Sequence, residues 1–253
     1  MPIEAISSTA LGKLELSPDE VHVWRAPLDL DPDTLSGLKT TLAPDEISRA
    51  GRFVFPRDRH RFVAARGILR QLLAAYLVCS PRSLRFHYGQ YGKPALHPGN
   101  PEVSLQFNLS HSQGLALYVF GINRAVGVDL ELIRPDFGGE ELAQHFFSPR
   151  EQMDLHALPP DLIAKGFYNC WTRKEAYVKA RGDGLQIPLD SFDVSLIPGC
   201  RETLNSTDSS RWELRSFELE PQFVAAIVAE GSGWELRHFE WRTTVPPTAH
   251  TAC

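Results

Sequence analysis

Ala125-Val126-Gly127-Val128-Asp129-Leu130-Glu131-Leu132-Ile133 is the stretch on which the reading of the fold turns. Its apolar and polar residues alternate, the signature of a strand with one face against a core. Successive side chains of a pleated strand point to opposite faces, so Val128 and Leu130 face inward and Asp129 and Glu131 share the other side. Two neighbouring carboxylates repel each other. A bound divalent cation relieves that repulsion, and an oxygen-only donor set suits magnesium, with manganese as an alternative ion. An isolated D-x-E more often decorates a solvated strand face, so this pattern needs a second observation.

Working outward, other strand-like stretches are Leu84 to Tyr88, Leu105 to Leu109, Leu115 to Phe120, Phe192 to Leu196, Trp212 to Leu219, Phe223 to Ala229 and Trp234 to Trp241. Asn123 and Gly231-Ser232-Gly233 mark hairpin turns. Helix is expected over Pro44 to Leu77, where Phe62, Ala65, Leu69, Leu72, Leu73 and Tyr76 recur at helical spacing, with Asp58, Arg61, Arg66 and Arg70 on its polar sides. Ser148-Pro149-Arg150-Glu151 supplies an N-cap, a proline at N1 and a glutamate at N3, a capping box that opens a second helical region. Helix resumes from about Leu162 to Ala180 and stops at Gly182, a C-cap glycine. Phe53-Val54-Phe55-Pro56-Arg57-Asp58 echoes Phe146-Phe147-Ser148-Pro149-Arg150-Glu151; duplication or chance would explain so short a match.

The second observation lies in Trp171-Thr172-Arg173-Lys174-Glu175-Ala176-Tyr177-Val178-Lys179. Trp171, Glu175 and Val178 share a helix face, and Lys179 lies one turn beyond Glu175, so an acid and a base emerge together beside an aromatic. Phosphoryl chemistry on a metal calls for such a set; a Glu and Lys four apart are also an ordinary surface pair. Between the two regions lie Tyr91-Gly92-Lys93-Pro94 and Phe107-Asn108-Leu109-Ser110-His111-Ser112. Lys93 offers a mobile charge, and His111 beside two hydroxyls can donate to phosphate oxygens. No G-x-S-x-G elbow frames either serine as a nucleophile.

Charge is distributed unevenly along the 253 residues. The formal total is -5, yet Arg49 to Arg85 holds nine arginines and one acid, Asp58, which leaves that stretch at +8 and the remainder at -13. A basic block inside an acidic chain suits a local phosphate-rich ligand; a solvated helix face explains it equally. The hydrophobic fraction of 43% supports a substantial core. The longest uncharged apolar stretch, Gln71 to Ser80, is too short to span a bilayer, and Met1-Pro2-Ile3-Glu4 lacks a leader-like pattern, so the expectation is a cytoplasmic protein. Cys79, Cys170, Cys200 and Cys253 form no CxxC pair and are expected as free thiols.

The ordered set of arginine helix, G-K-P, N-L-S-H-S, G-V-D-L-E, F-F-S-P-R-E and W-T-R-K-E-A-Y-V-K, followed by Gly182-Asp183-Gly184-Leu185, resembles the long, surfactin-synthetase-activating type of 4'-phosphopantetheinyl transferase. The resemblance runs from about Arg49 to Phe192. It implies an α+β fold of two similar halves, a pseudo-dimer in which each half is a small, mostly antiparallel sheet packed with a long helix. The N-terminal half would span 1–121, the C-terminal half 122–243, and 244–253 would be a flexible tail. It further implies that Asp129, Glu131 and Glu175 hold one Mg2+ against the pyrophosphate of coenzyme A, with Asp129, Glu175 and Lys179 serving catalysis. Lys179 would balance phosphate charge, and Arg49, Arg61, Arg66, Lys93, Ser110 and His111 would hold the nucleotide end. The partner would be an acyl or peptidyl carrier protein, met through the segment from Arg134 to Phe147, with Arg150 helping to steer an acidic carrier. A monomer is expected, with no nucleic-acid or membrane partner. The alternatives are a metal-dependent hydrolase of the coenzyme A pyrophosphate and a non-catalytic nucleic-acid-binding protein; the arginine block lacks the interleaved aromatics that a stacking platform wants.

Overall fold

A computed structural model describes residues 3–89, 94–96, 104–134, 136, 139–182, 187–219 and 222–243. In chain order the first elements are β1 (Glu4–Ser7), β2 (Glu20–Pro27), α1 (Pro32–Lys39), α2 (Pro44–Ala50), α3 (Pro56–Leu77), β3 (Phe86–Tyr88), β4 (Pro94–Leu96), β5 (Leu105–Ser112) and β6 (Leu115–Ile122). There follow β7 (Val126–Leu132), α4 (Glu140–Phe146), α5 (Pro149–His156), α6 (Pro160–Arg181), β8 (Asp193–Val194), β9 (Leu204–Asn205), β10 (Trp212–Leu219), β11 (Phe223–Glu230) and β12 (Glu235–Arg242). Small sheets and helices are interspersed, so the class is α+β. No helix among the described residues is long and apolar enough to cross a membrane.

The chain divides into two compact units. One comprises Met1–Glu15, Trp24–Leu84 and His238–Cys253, the other Leu16–Val23 and Arg85–Arg237. This differs from the division expected at residue 121, because β5 and β6 belong with the later strands and the last strand returns to the early part of the chain.

In the first unit, β1 pairs in parallel with β12, Glu4 opposite Phe239 through Ser7 opposite Arg242. The helix expected over Pro44 to Leu77 is two helices. Gly51 caps α2, and Pro56 at the first position of α3 starts a new helix, since proline has no N–H to continue the old one. Arg66 and Arg70, expected on polar sides, are buried. Arg66 Nε lies 3.2 Å from Glu46 Oε1 and Arg70 Nε 2.7 Å from Glu46 Oε2, while Arg70 Nη1 donates to Pro81 O at 2.7 Å. This cluster bolts α2 to α3. Two tryptophan N–H groups find partners on α3, Trp24 on Tyr76 Oη and Trp241 on Gln71 Oε1.

The second unit is built around the antiparallel sheet β10-β11-β7. The alternation read in the sequence divides its faces: Val126, Val128 and Leu130 join Ala225, Ile227 and Ala229 in one core, while Val224, Ala226 and Val228 face a second core that contains Ala176 and Ala180 of α6. Gly127, opposite Val228, is why α6 can lie so close to β7. A Cβ there would sit 2.2 Å from Ala176 O and 2.3 Å from Ala180 N. The box at Ser148 forms as expected, with Ser148 Oγ accepting from Glu151 N and Glu151 Oε2 from Ser148 N. Helix α6 ends at Gly182 with φ +78°. The strand expected over 192–196 is only Asp193–Val194, and the segment from Arg134 to Phe147 holds a helix, α4.

Candidate active site

Asp129 and Glu131 stand on the α6 side of β7, opposite Ala226 and Val224. Glu175 and Lys179 each precede by one residue the alanines that touch Gly127, so the close approach of helix and strand brings them beside the acidic pair. Lys179 Nζ lies 2.6 Å from Asp129 Oδ1, and Ser110 Oγ on β5 donates to the same oxygen at 2.9 Å. Asp129 is 3% exposed, and its other oxygen, Oδ2, is buried with no hydrogen-bond partner. An orphaned buried carboxylate oxygen is costly, and a cation is the natural ligand for it.

The electrostatics report the same convergence. Burial raises the Glu131 carboxyl above its ordinary value and the Asp129 charge adds to the rise, against the Ser112 hydrogen bond, Lys179 and Arg134. Burial raises Glu175 as well, Lys179 opposing and the Asp129 charge contributing. Both glutamates thus sense Asp129. Among the described residues no three acidic, histidine or cysteine side chains form a ready-made metal cage; Lys179 takes up Asp129 Oδ1 instead. The donor set is all oxygen, the kind that fits Mg2+ or Mn2+.

A model described as the 4'-phosphopantetheinyl transferase superfamily matches residues 125–228, and one described as 4'-phosphopantetheinyl transferase, N-terminal, matches 31–119. The chain is 42% identical over 228 residues to 4'-phosphopantetheinyl transferase HetI of Nostoc sp., covering 90% of this chain and 95% of that protein. The chain belongs to the 4'-phosphopantetheinyl transferase superfamily. It is similar also to 4'-phosphopantetheinyl transferase Sfp of Bacillus subtilis, 31% identical over 74% of this chain and 82% of that one. A crystal structure of a holo-(acyl-carrier-protein) synthase from Bacillus anthracis in complex with CoA (3',5'-ADP) covers 43% of this chain and 96% of its own, at 19% identity and a TM-score of 0.38.

Within this transferase the structure sorts the residues singled out from sequence. Asp129, Glu131, Glu175, Lys179 and Ser110 come together in the second unit, and His111 lies exposed next to Ser110 on β5. The Ser110 hydroxyl donates to Asp129 and accepts from Lys179 Nζ at 3.3 Å, so it is spent on holding the acid rather than offered to a phosphate. In the first unit, Arg49 stacks on Phe62 at 5.5 Å from the ring centre, and Arg61 forms a two-pronged pair with Asp29, both contacts 2.7 Å. Arg66, bound to Glu46 and 7% exposed, is a core residue and not an open phosphate contact. Lys93 lies outside the described residues.

Two contributors escaped the sequence reading. Lys174, beside Glu175, is fully buried: its ammonium meets Glu151 Oε2 at 2.8 Å and the carbonyls of Leu189 and Phe192 at 2.6 Å each, tying α6 to α5 and to the turn that precedes β8. Gly127 is the other. Both sit inside the quoted motifs, but only the packing reveals what they do.

Proposed function

We propose that this transferase moves the 4'-phosphopantetheine arm of coenzyme A to a serine hydroxyl of an acyl or peptidyl carrier protein, releasing 3',5'-ADP, with Mg2+ or Mn2+ held by Asp129, Glu131 and Glu175. The single observation that carries the reading is the buried Asp129 carboxylate with one oxygen unpartnered, flanked by two glutamates that both feel its charge. When bound, the ion would supply Lewis-acid stabilisation of the charge growing on the transferring phosphoryl group. Glu175, which stands beside Asp129, would be one candidate base for the proton of the serine hydroxyl as it attacks the β-phosphorus, and solvent at the site the other. Lys179, paired with Asp129 and partly exposed, is assigned to the pyrophosphate, where its charge would balance that on the leaving oxygen. Positioning and electrostatics carry such a transfer, and no covalent enzyme intermediate is needed.

His111, Arg49, Arg61 and Lys93 are assigned to the nucleotide end, Arg61 being pre-oriented by Asp29. The carrier is assigned to the α4–α5 surface, where Leu142, Phe146 and Met153 are exposed beside Arg150; Phe147 is withdrawn from this role, since it is buried against Phe167. An acidic carrier docking there associates more slowly as salt rises.

The test is mass spectrometry of purified apo carrier proteins incubated with coenzyme A and Mg2+. The expected result is a gain of one phosphopantetheine. Release of 3',5'-ADP from coenzyme A in the absence of any carrier, with no gain on the carrier, would instead establish a hydrolase.

A further inference from the structure

Strand β5 carries a polar row that the chemistry above does not use in full. Asn108, Ser110 and Ser112 are two residues apart, so they project from one face of the strand. Each grips β7. Asn108 Oδ1 accepts from Val128 N at 3.0 Å, Ser110 Oγ donates to Asp129 Oδ1, and Ser112 Oγ donates to Glu131 Oε2 at 2.9 Å while accepting from Leu132 N at 3.3 Å.

Strand β7 is the outer strand of its sheet, so alternate N–H groups along its free edge point away from β11. Those of Val128 and Leu132 are captured by side chains of β5, one on each side of the acidic pair. The Ser112 hydroxyl has one proton to give. With Leu132 N–H directed at its oxygen, that proton is aimed at Glu131, and the serine is anchored to backbone rather than to another mobile side chain. A charge-assisted bond of this kind fixes the direction in which the Glu131 carboxylate presents its second oxygen.

We propose that Ser112 is a positioning residue for the transfer reaction: anchored by Leu132 N–H, it holds the Glu131 carboxylate in the orientation that receives the divalent cation. This rests on the reading of Glu131 as a cation ligand. Residues that orient a ligand are each worth about 10- to 100-fold in metal affinity.

The test measures Mn2+ alone binding to the full-length protein, without coenzyme A, by electron paramagnetic resonance of the free ion, beside a thermal melt of each variant. Ser112→Ala should weaken Mn2+ by about 10-fold or more and raise the Mg2+ concentration that half-saturates transfer. Ser112→Thr, which keeps the hydroxyl, should restore both. Glu131→Gln is the control and should weaken Mn2+ at least as much. If Glu131→Gln weakens binding and a folded Ser112→Ala does not, the positioning role is refuted. If neither variant weakens it, the cation assignment of Glu131 is itself wrong and the proposal goes with it. Should Ser112→Ala fail to fold, Ser112→Cys replaces it: a weaker donor of similar shape, expected to lose affinity, and refuting the role if it binds Mn2+ as the parent does.

Discussion

Gly127→Ala is the smallest change that should disable the site without touching a reacting group. The new methyl would stand 2.2 Å from Ala176 O and 2.3 Å from Ala180 N, where ordinary contact begins at 3.4 Å. Both obstacles are helix backbone and cannot rotate aside, so α6 must retreat from β7 by about 1 Å. Overpacking of this kind costs about 1–3 kcal/mol, a fall in melting temperature of about 2–12 °C for a chain of this size. The same retreat takes Lys179 Nζ from 2.6 Å to beyond hydrogen-bond range of Asp129 and draws Glu175 away from the acidic strand. A 1 Å misplacement lowers rates by about 10²-fold. The assay pairs a thermal melt with the initial rate of phosphopantetheine transfer to an apo carrier at saturating Mg2+. An alanine variant with a rate within twofold of the parent would show that the helix-to-strand spacing does not set the active geometry.

Asp129→Ala should lower transfer by at least about 10²-fold while the melting temperature moves by no more than about 4 °C, since Lys179 is partly exposed and can turn to water; normal transfer would remove Asp129 from the site. Glu131→Gln and Glu175→Gln should each abolish transfer yet stabilise the ion-free protein at neutral pH. Their folded carboxyls titrate above the ordinary 4.5, so between that value and the raised one the folded state binds more protons than the unfolded, and stability falls as pH rises. The advantage of the glutamine variants should accordingly vanish in melts near pH 4.5, and a constant advantage at every pH would contradict the linkage. Lys174→Met leaves Glu151 buried without its cation, a loss of about 3–5 kcal/mol in urea unfolding; a loss below about 1 kcal/mol would mean that Glu151 is held by its backbone donors alone.

The acidic pair was legible because a two-residue period on a half-buried strand has one geometric meaning, and the ends of α5 and α6 because Ser148, Pro149 and Gly182 act through local backbone chemistry. The first 43 residues gave little. Val21-His22-Val23-Trp24 is buried at every position, which erases the alternation that marks a strand. The arginine block misled for a different reason. Arg66 and Arg70 are neutralised by Glu46, twenty residues or more away along the chain, and no local window reports such a partner. Exposed and buried arginines therefore looked alike in sequence. The break at Pro56 was readable, but a proline inside an otherwise helical pattern also occurs at a kink, and the extended backbone of Phe55, φ -88° and ψ 130°, distinguishes the two.

Lys174 and Glu175 are neighbours in one motif and lie about 100° apart around the helix, so they face different surroundings and answer to different physics. Lys174 is locked among Glu151 and two carbonyls, where removing it leaves a buried charge. Glu175 is held largely out of water, which raises the cost of its charge in the folded state; the Asp129 charge adds to that cost and Lys179 opposes it. The two are therefore expected to have opposite signs in stability, a difference that an activity assay does not read. A motif scored by activity alone would treat them as equivalent. Scored by unfolding as well, residues that assemble the site lose stability on substitution and residues that carry its charge gain it, because a preorganised cluster of acids is held together by the packing beneath it, by Gly127 and by the polar row of β5, and not by its own interactions.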